Sequence, residues 1–91
     1  MNWTYLFVYS DDLGSPDKVR KFVDEHPLIS YWYQCIPNTY FLISSLTASG
    51  LTKDVGQQLG AGRFLILDTD TDRNGRLPRD AWDLMRKRSP Q

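Results

Sequence analysis

The first third of the chain contains short apolar runs that are separated by turn residues. The spacing of the apolar residues predicts a strand followed by a helix. Residues 3–9 are aromatic, β-branched or leucine throughout and end at a polar stretch, which is typical of a strand buried on both faces. Ser15 and Pro16 fit an N-cap followed by a first-turn proline, and Val19, Phe22 and Val23 fit one helical face. We therefore predict a first strand and then a helix over about residues 16–26.

The middle of the chain predicts a hairpin and a second helix. Residues 28–36 and 39–46 are rich in aromatic and β-branched residues, and Pro37-Asn38 separates them. Thr47 is suited to cap a helix that ends at the glycines of residues 60–62. The apolar stripe of that helix repeats every four residues, at Leu51, Val55 and Leu59.

The last third predicts a fourth strand over 64–67, a polar turn over 68–75 and a short helix that begins at Pro78. That helix carries Ala81, Trp82 and Met85 on one side. The resulting order, β-α-β-β-α-β with a short C-terminal helix, predicts an α+β, ferredoxin-like two-layer sandwich. We expect one domain over residues 1–91 with a tail from about residue 86, strands one and three at the centre, and both main helices on one face.

The first strand presents two apolar faces, of which the helices can cover one. One side carries Leu6 and Val8, and the other carries Trp3, Tyr5, Phe7 and Tyr9. An uncovered apolar set usually marks a partner surface, so we expect a homodimer that buries Tyr5, Phe7 and Tyr9. The same aromatics could stack nucleic-acid bases, but strand three lacks the basic and glycine residues that accompany such a platform.

Charge and composition narrow the classes of function. Eleven basic and eleven acidic residues cancel, so the chain has no strong positive field for nucleic acid or anionic lipid. The basic run Arg86-Lys87-Arg88 is either a solvated helix end or a phosphate contact. The start has no basic segment, and Asp11-Asp12 interrupts its apolar run, so we expect neither a signal peptide nor a membrane span, and a cytoplasmic location.

Single cysteine and histidine residues limit the chemistry further. Cys35 has no second cysteine for a disulfide or a zinc cluster. A catalytic pair of Cys35 with His26 is conceivable, but Cys35 lies in an apolar run, where a small buried thiol is the better interpretation.

Residues 70–77 resemble a calcium-binding loop in part. Asp70, Asp72, Asn74 and Gly75 stand at positions 1, 3, 5 and 6 of such a loop, but position 12 is Ala81 instead of the bidentate glutamate. A polar turn is the preferred interpretation of this segment.

Three segments from residue 40 onward carry a resemblance to a known family. They are 40–47 (YFLISSLT), 63–68 (RFLILD) and 75–82 (GRLPRDAW). Together with the order of elements they resemble small bacterial SinR-type proteins, which belong with the CRISPR-associated Cas-two and VapD ribonuclease superfamily. In that superfamily strand one ends in Tyr-Asp-Leu, and the Asp is proposed as a metal ligand at the dimer axis. Asp12-Leu13 match the last two residues, and Asp11 replaces the tyrosine.

This resemblance implies a homodimeric nuclease that acts on RNA or DNA, with Asp12 and Asp11 as the candidate catalytic and metal-binding residues. Magnesium or manganese would suit such carboxylates, because these ions prefer oxygen ligands and retain several waters. The same residues also fit a simple polar turn before a helix. Because the charge is balanced, we favour a non-catalytic homodimeric module that regulates or binds a partner, with the metal-dependent nuclease (endoribonuclease or endodeoxyribonuclease) as the alternative.

Overall fold

The computed structural model describes residues 2–70 and 74–86, which form four strands and three α-helices. Their bounds are β1 Trp3–Tyr9, α1 Pro16–Glu25, β2 Ile29–Ile36, β3 Thr39–Ser44, α2 Ala48–Gln58, β4 Phe64–Asp68 and α3 Arg79–Arg86, with a short 3₁₀ turn at Asp11–Leu13 after β1. The predicted α+β class is confirmed, and the elements follow one another along the chain as predicted. Their bounds differ from the expected ones by two residues at most.

The four strands form one antiparallel sheet in the order β2-β3-β1-β4. β1 and β3 are therefore central, and β2 and β4 are the two edges. Phe7 lies opposite Tyr40 of β3 and Ile66 of β4, and Val8 lies opposite Thr39 and Leu65. The first strand of the chain is thus held from both sides by strands that come much later.

The first face of the sheet, which we call the helix-covered face, carries α1 and α2. Capping fixes where both helices begin, because Ser15 accepts a hydrogen bond from the Lys18 amide and Thr47 accepts one from the Gly50 amide. The apolar stripes of the two helices pack onto the odd-numbered residues of β1. This main core contains Tyr5, Phe7, Tyr9, Leu13, Val19, Phe22, Val23, Ile29, Tyr40, Leu42, Leu51, Val55 and Leu59.

The prediction that Tyr5, Phe7 and Tyr9 form a dimer surface is wrong. All three are buried under α1 and α2, and Phe7 is fully inaccessible. The helices contribute mainly valine and leucine to the core, so large aromatic side chains on the sheet fill the remaining space. The same burial removes these residues as a platform for base stacking.

The second face, which we call the open face, carries only α3. Ala81, Leu84 and Met85 of this helix are buried against Phe41 of β3, and Leu6, Tyr33, Cys35, Ile43, Leu77 and Trp82 pack around them. The predicted apolar side of the last helix is confirmed. α3 adds a partial third layer to the predicted two layers, and it is too short to cover the whole face.

Candidate functional site

The segment that follows β1 is the first candidate, because it contains both predicted site residues. The Ser10 amide donates to the Arg63 carbonyl at 2.9 Å, and the Arg63 amide donates to the Ser10 hydroxyl at 2.9 Å. The Gly60 amide donates to the Leu13 carbonyl at 2.6 Å, and a Cβ at Gly62 would overlap the backbone of Leu13. The segment before β4 therefore lies directly against this turn and fixes its backbone.

Within that turn, Asp11 and Asp12 are exposed and diverge. The Asp11 carboxylate accepts a hydrogen bond from Asn38 Nδ2 at 2.7 Å, on the β3 side of β1. The Asp12 carboxylate accepts one from the Ser10 hydroxyl, on the β4 side. Neighbouring residues of a 3₁₀ turn point about 120° apart, which accounts for the divergence. The structure thus brings the two carboxylates into one turn but not onto one ligand position.

This divergence decides which metal site the turn could form. Magnesium often uses one or two protein carboxylates and keeps several waters. Because their hydrogen-bond partners lie on opposite sides of β1, the turn suits an ion held by Asp12 or by Asp11 better than a chelate by both. Among residues 2–70 and 74–86 there is no cluster of three or more His, Cys, Asp or Glu side chains that could hold a metal ion.

The partial calcium loop lies largely outside the described residues, because residues 71–73 are not among them. At its start, the Asp70 amide donates to the Asp68 carboxylate at 2.9 Å. At its end, the Gly75 amide donates to Asn74 Oδ1 at 2.8 Å. Local hydrogen bonds of this kind are typical of polar turns.

Cys35 and His26 do not form a pair. Cys35 lies in β2 and packs with the α3 cluster on the open face, where burial raises the pKa of its thiol. His26 follows α1 on the other side of the sheet. A raised thiol pKa disfavours the nucleophilic thiolate, so the buried-thiol interpretation of Cys35 fits better than a catalytic one.

His26 instead joins α1 to α2 through a contact that the sequence did not reveal. Its Nε2 lies 2.8 Å from the Asp54 carboxylate, and its Nδ1 accepts the Leu28 amide at 3.0 Å. Because Nδ1 accepts, Nε2 carries the proton and donates to Asp54. Both ring nitrogens are engaged and only 6% of the side chain is exposed, so the visible role of His26 is to link the end of α1 to α2.

A surface groove of about 600 Å³ borders this contact. Lys18, Lys21 and Glu25 of α1 and Asp54 and Gln58 of α2 line it, together with His26 and several apolar residues. Its charges are mixed, so the groove does not select a ligand of one sign.

The open face holds the second candidate site, a row of apolar residues that α3 leaves uncovered. Leu65, Val8, Thr39 and Ile36 lie side by side across the four strands. Leu65 is 58% exposed, Val8 36% and Ile36 42%, while Thr39 between them is buried. Leu67 of β4 is exposed as well. We call Val8, Ile36, Leu65 and Leu67 the open-face row.

A cavity of about 410 Å³ lies between this row and α3. Trp82 and Met85 of α3, with Leu77 just before that helix, form one wall, and Leu6 and Phe41 belong to its floor. Trp82 is half-buried, so its indole packs against the cluster and also faces the cavity. The sequence predicted an uncovered apolar set on β1 but assigned it to the wrong side of the strand.

On β2, the edge strand at the other end of the sheet, Trp32 contacts side chains of α1 on the helix-covered face. The Arg20 guanidinium lies 5.4 Å from the centre of the Trp32 ring, and the Trp32 indole donates to Asp24 at 3.1 Å. Tyr9 and Tyr40 stack beneath this layer, and burial raises the pKa of the Tyr9 hydroxyl. The register of β2 against β3 is also interrupted twice, so this edge is irregular.

Comparison of the chain with family models, curated proteins and solved structures gives no match. The resemblance to the Cas-two and VapD superfamily therefore stays a prediction. None of the helices in the described parts of the chain has the length and apolar character needed to cross a bilayer.

Proposed function

We propose that this protein is a non-catalytic homodimeric module of the ferredoxin-like class that acts by binding or regulating a partner. The observation that carries the proposal is the open-face row, whose members are among the most exposed large apolar residues of the described chain. Such residues are costly to leave in water together, and in proteins of this size they usually mark an interface. The ferredoxin-like class is supported by the β-α-β-β-α-β order and by the central position of β1 and β3.

A second copy of the chain is the partner that we assign to this surface first. The row contains no charged side chain, so two copies can meet without burying an unpaired charge. A balanced net charge also leaves no long-range repulsion between copies.

Light scattering during size exclusion tests the dimer. We expect about 21 kDa, twice the chain mass of 10.6 kDa. A monomer at high micromolar concentration would refute the proposal.

A metal-dependent nuclease is the second candidate, and the observation that favours it is the fixed backbone of the Ser10–Leu13 turn, which presents Asp12 to solvent. We expect any cleavage of RNA or DNA to require Mg²⁺ or Mn²⁺ and to be lost in Asp12→Asn. Asp17→Asn, an exposed carboxylate in the first turn of α1, is the matched control and should retain activity. Absence of cleavage of single- and double-stranded RNA and DNA with Mn²⁺ would exclude this candidate.

A further inference from the structure

We infer that two copies of this chain associate through the β4 edge, strand against strand across a twofold axis, to form one eight-stranded sheet. The inference rests on the homodimer proposed above and places its contact at the β4 end of the open-face row, where Leu65 and Leu67 lie. It follows from three properties of β4: the direction of its backbone groups, its lack of protective residues, and the charges at its two ends.

The backbone of β4 alternates between β1 and the open edge. The Ser10 amide donates to the Arg63 carbonyl and the Thr69 amide donates to the Thr4 carbonyl, so the odd-numbered residues turn toward β1. The even-numbered residues, with Ile66 at the middle of the strand, therefore direct their amide and carbonyl groups to the outer side. In the described part of the chain no strand pairs with that side.

Protective devices that proteins place on exposed edges are missing from β4. Residues 64–67 are Phe-Leu-Ile-Leu, without proline, glycine or charge, and they pair with β1 in unbroken register. The β2 edge differs, because two register shifts interrupt its pairing with β3. A regular apolar edge of this kind is a template for another strand. β4 is therefore the edge available for pairing.

Symmetry fixes the direction and the register of the pairing. A strand that meets its own copy across a twofold axis perpendicular to the sheet runs antiparallel to it, and opposite residues point to the same face. With Ile66 on the axis, its outward amide and carbonyl bond to those of the partner's Ile66. Leu65 then lies opposite the partner's Leu67 on the open face, so the two most exposed positions of β4 cover each other.

Charge also favours this arrangement. Arg63 precedes β4, and Asp68 and Asp70 stand at its other end. Antiparallel pairing brings the basic end of each strand toward the acidic end of the other, whereas parallel pairing would bring like charges together. Direct stacking of two open faces is less suitable, because α3 stands on that face and would hold a second sheet away from the row.

Paired cysteines test the register in a Cys35→Ser background. Leu65→Cys and Leu67→Cys are made in separate chains, which are oxidised alone and as a mixture. In this register residue 65 lies opposite residue 67 of the second copy, without mutual backbone hydrogen bonds, and the Cα atoms of such a pair are about 4.5 Å apart. The two copies of residue 65, or of residue 67, lie farther apart than the roughly 7 Å between Cα atoms that a disulfide can span. We expect crosslinked dimer in the mixture and almost none in either single variant.

A charge placed on the edge gives an independent readout. Leu65→Lys should convert the dimer to monomer in light scattering, while Tyr31→Lys should not. Tyr31 is the matched control, because it lies on the β2 edge and is 57% exposed against 58% for Leu65. Circular dichroism checks that both variants are folded.

The outcomes separate this inference from the proposed function. A dimer that forms no mixed disulfide, or that persists in folded Leu65→Lys, would overturn the β4 interface and leave the homodimer in place. A wild-type chain that is monomeric would overturn both.

Discussion

The two faces of the sheet are made from the same strands but have different packing. On the helix-covered face two amphipathic helices bury every odd-numbered residue of β1 from Tyr5 to Tyr9. On the open face one short helix covers Leu6 and leaves Val8 exposed, although the two residues are only two positions apart. Stability thus depends mainly on the first face, which leaves the second available for association.

The largest expected difference between the faces concerns adjacent residues of β1. Phe7→Ala should lower the free energy of unfolding by about 3–5 kcal/mol, because it opens a cavity in the main core. Val8→Ala should cost less than about 1 kcal/mol, because its side chain already contacts water. Urea denaturation of both variants at low concentration, where the chain is monomeric, measures the contrast. Equal losses would mean that the open face is a second core.

Trp82 tests how much α3 contributes. Trp82→Ala should cost about 2 kcal/mol, below the range for a fully buried tryptophan, because the indole is only partly buried and lines the cavity. Thermal unfolding followed by circular dichroism gives the shift. Arg86→Ala is the control for a general effect on α3, because the Arg86 side chain is exposed and pairs with Asp83 of the same helix. A Trp82→Ala loss no larger than that of Arg86→Ala would show that the tryptophan does not anchor the helix.

Two buried hydroxyls, Ser44 on the helix-covered face and Thr4 on the open face, differ in hydrogen bonding. The Ser44 hydroxyl donates to the Leu28 carbonyl at 2.6 Å and accepts the Leu46 amide, so Ser44→Ala should cost about 1–3 kcal/mol. The Thr4 hydroxyl on the open-face side is fully buried and has no hydrogen-bond partner among the described residues. Thr4→Val should therefore be neutral or stabilising by up to about 1 kcal/mol. A large loss in Thr4→Val would indicate that this hydroxyl does have a partner.

A smaller effect is expected on the rate at which the Cys35 thiol is alkylated. Burial raises the pKa of its thiol, so at pH 8 less thiolate is present than in a small free thiol, and alkylation should be slower. The alkylation rate should begin to rise at a higher pH than for the free thiol. Unfolding the protein in urea should remove this difference. Alkylation as fast as that of the free thiol in the folded protein would place Cys35 in open solvent.

Local signals in the sequence predicted the elements well, because the interactions that fix them are local. Ser15 and Thr47 cap helices within three residues, and both helices begin where predicted. The choice of buried face was not local. β1 is apolar on both sides. Its aromatic side is the buried one, because the small side chains of α1 and α2 leave space that large rings can fill.

The candidate site shows the same limit. The sequence identified Asp11 and Asp12 as neighbours at the end of a strand, which is their position in the structure. It could not predict that they diverge, because the divergence depends on a 3₁₀ turn and on hydrogen bonds to Asn38 and Ser10. The contact of His26, which follows α1, with Asp54 of α2 joins residues 28 positions apart, and no spacing rule predicts it.

The central position of β1 also has a consequence for the order of folding. Val8 pairs with Thr39 and Leu65, so both neighbours of the first strand are synthesised long after it. Closing such long loops is slow compared with forming helices, and β4 is the last of the four described strands to be synthesised. A nascent chain that has not yet reached Phe64 exposes the side of β1 that β4 later covers. We therefore expect chaperone contact or misassembly during synthesis to involve the middle of the sheet, and pairing at the β4 edge to begin only after that strand has docked.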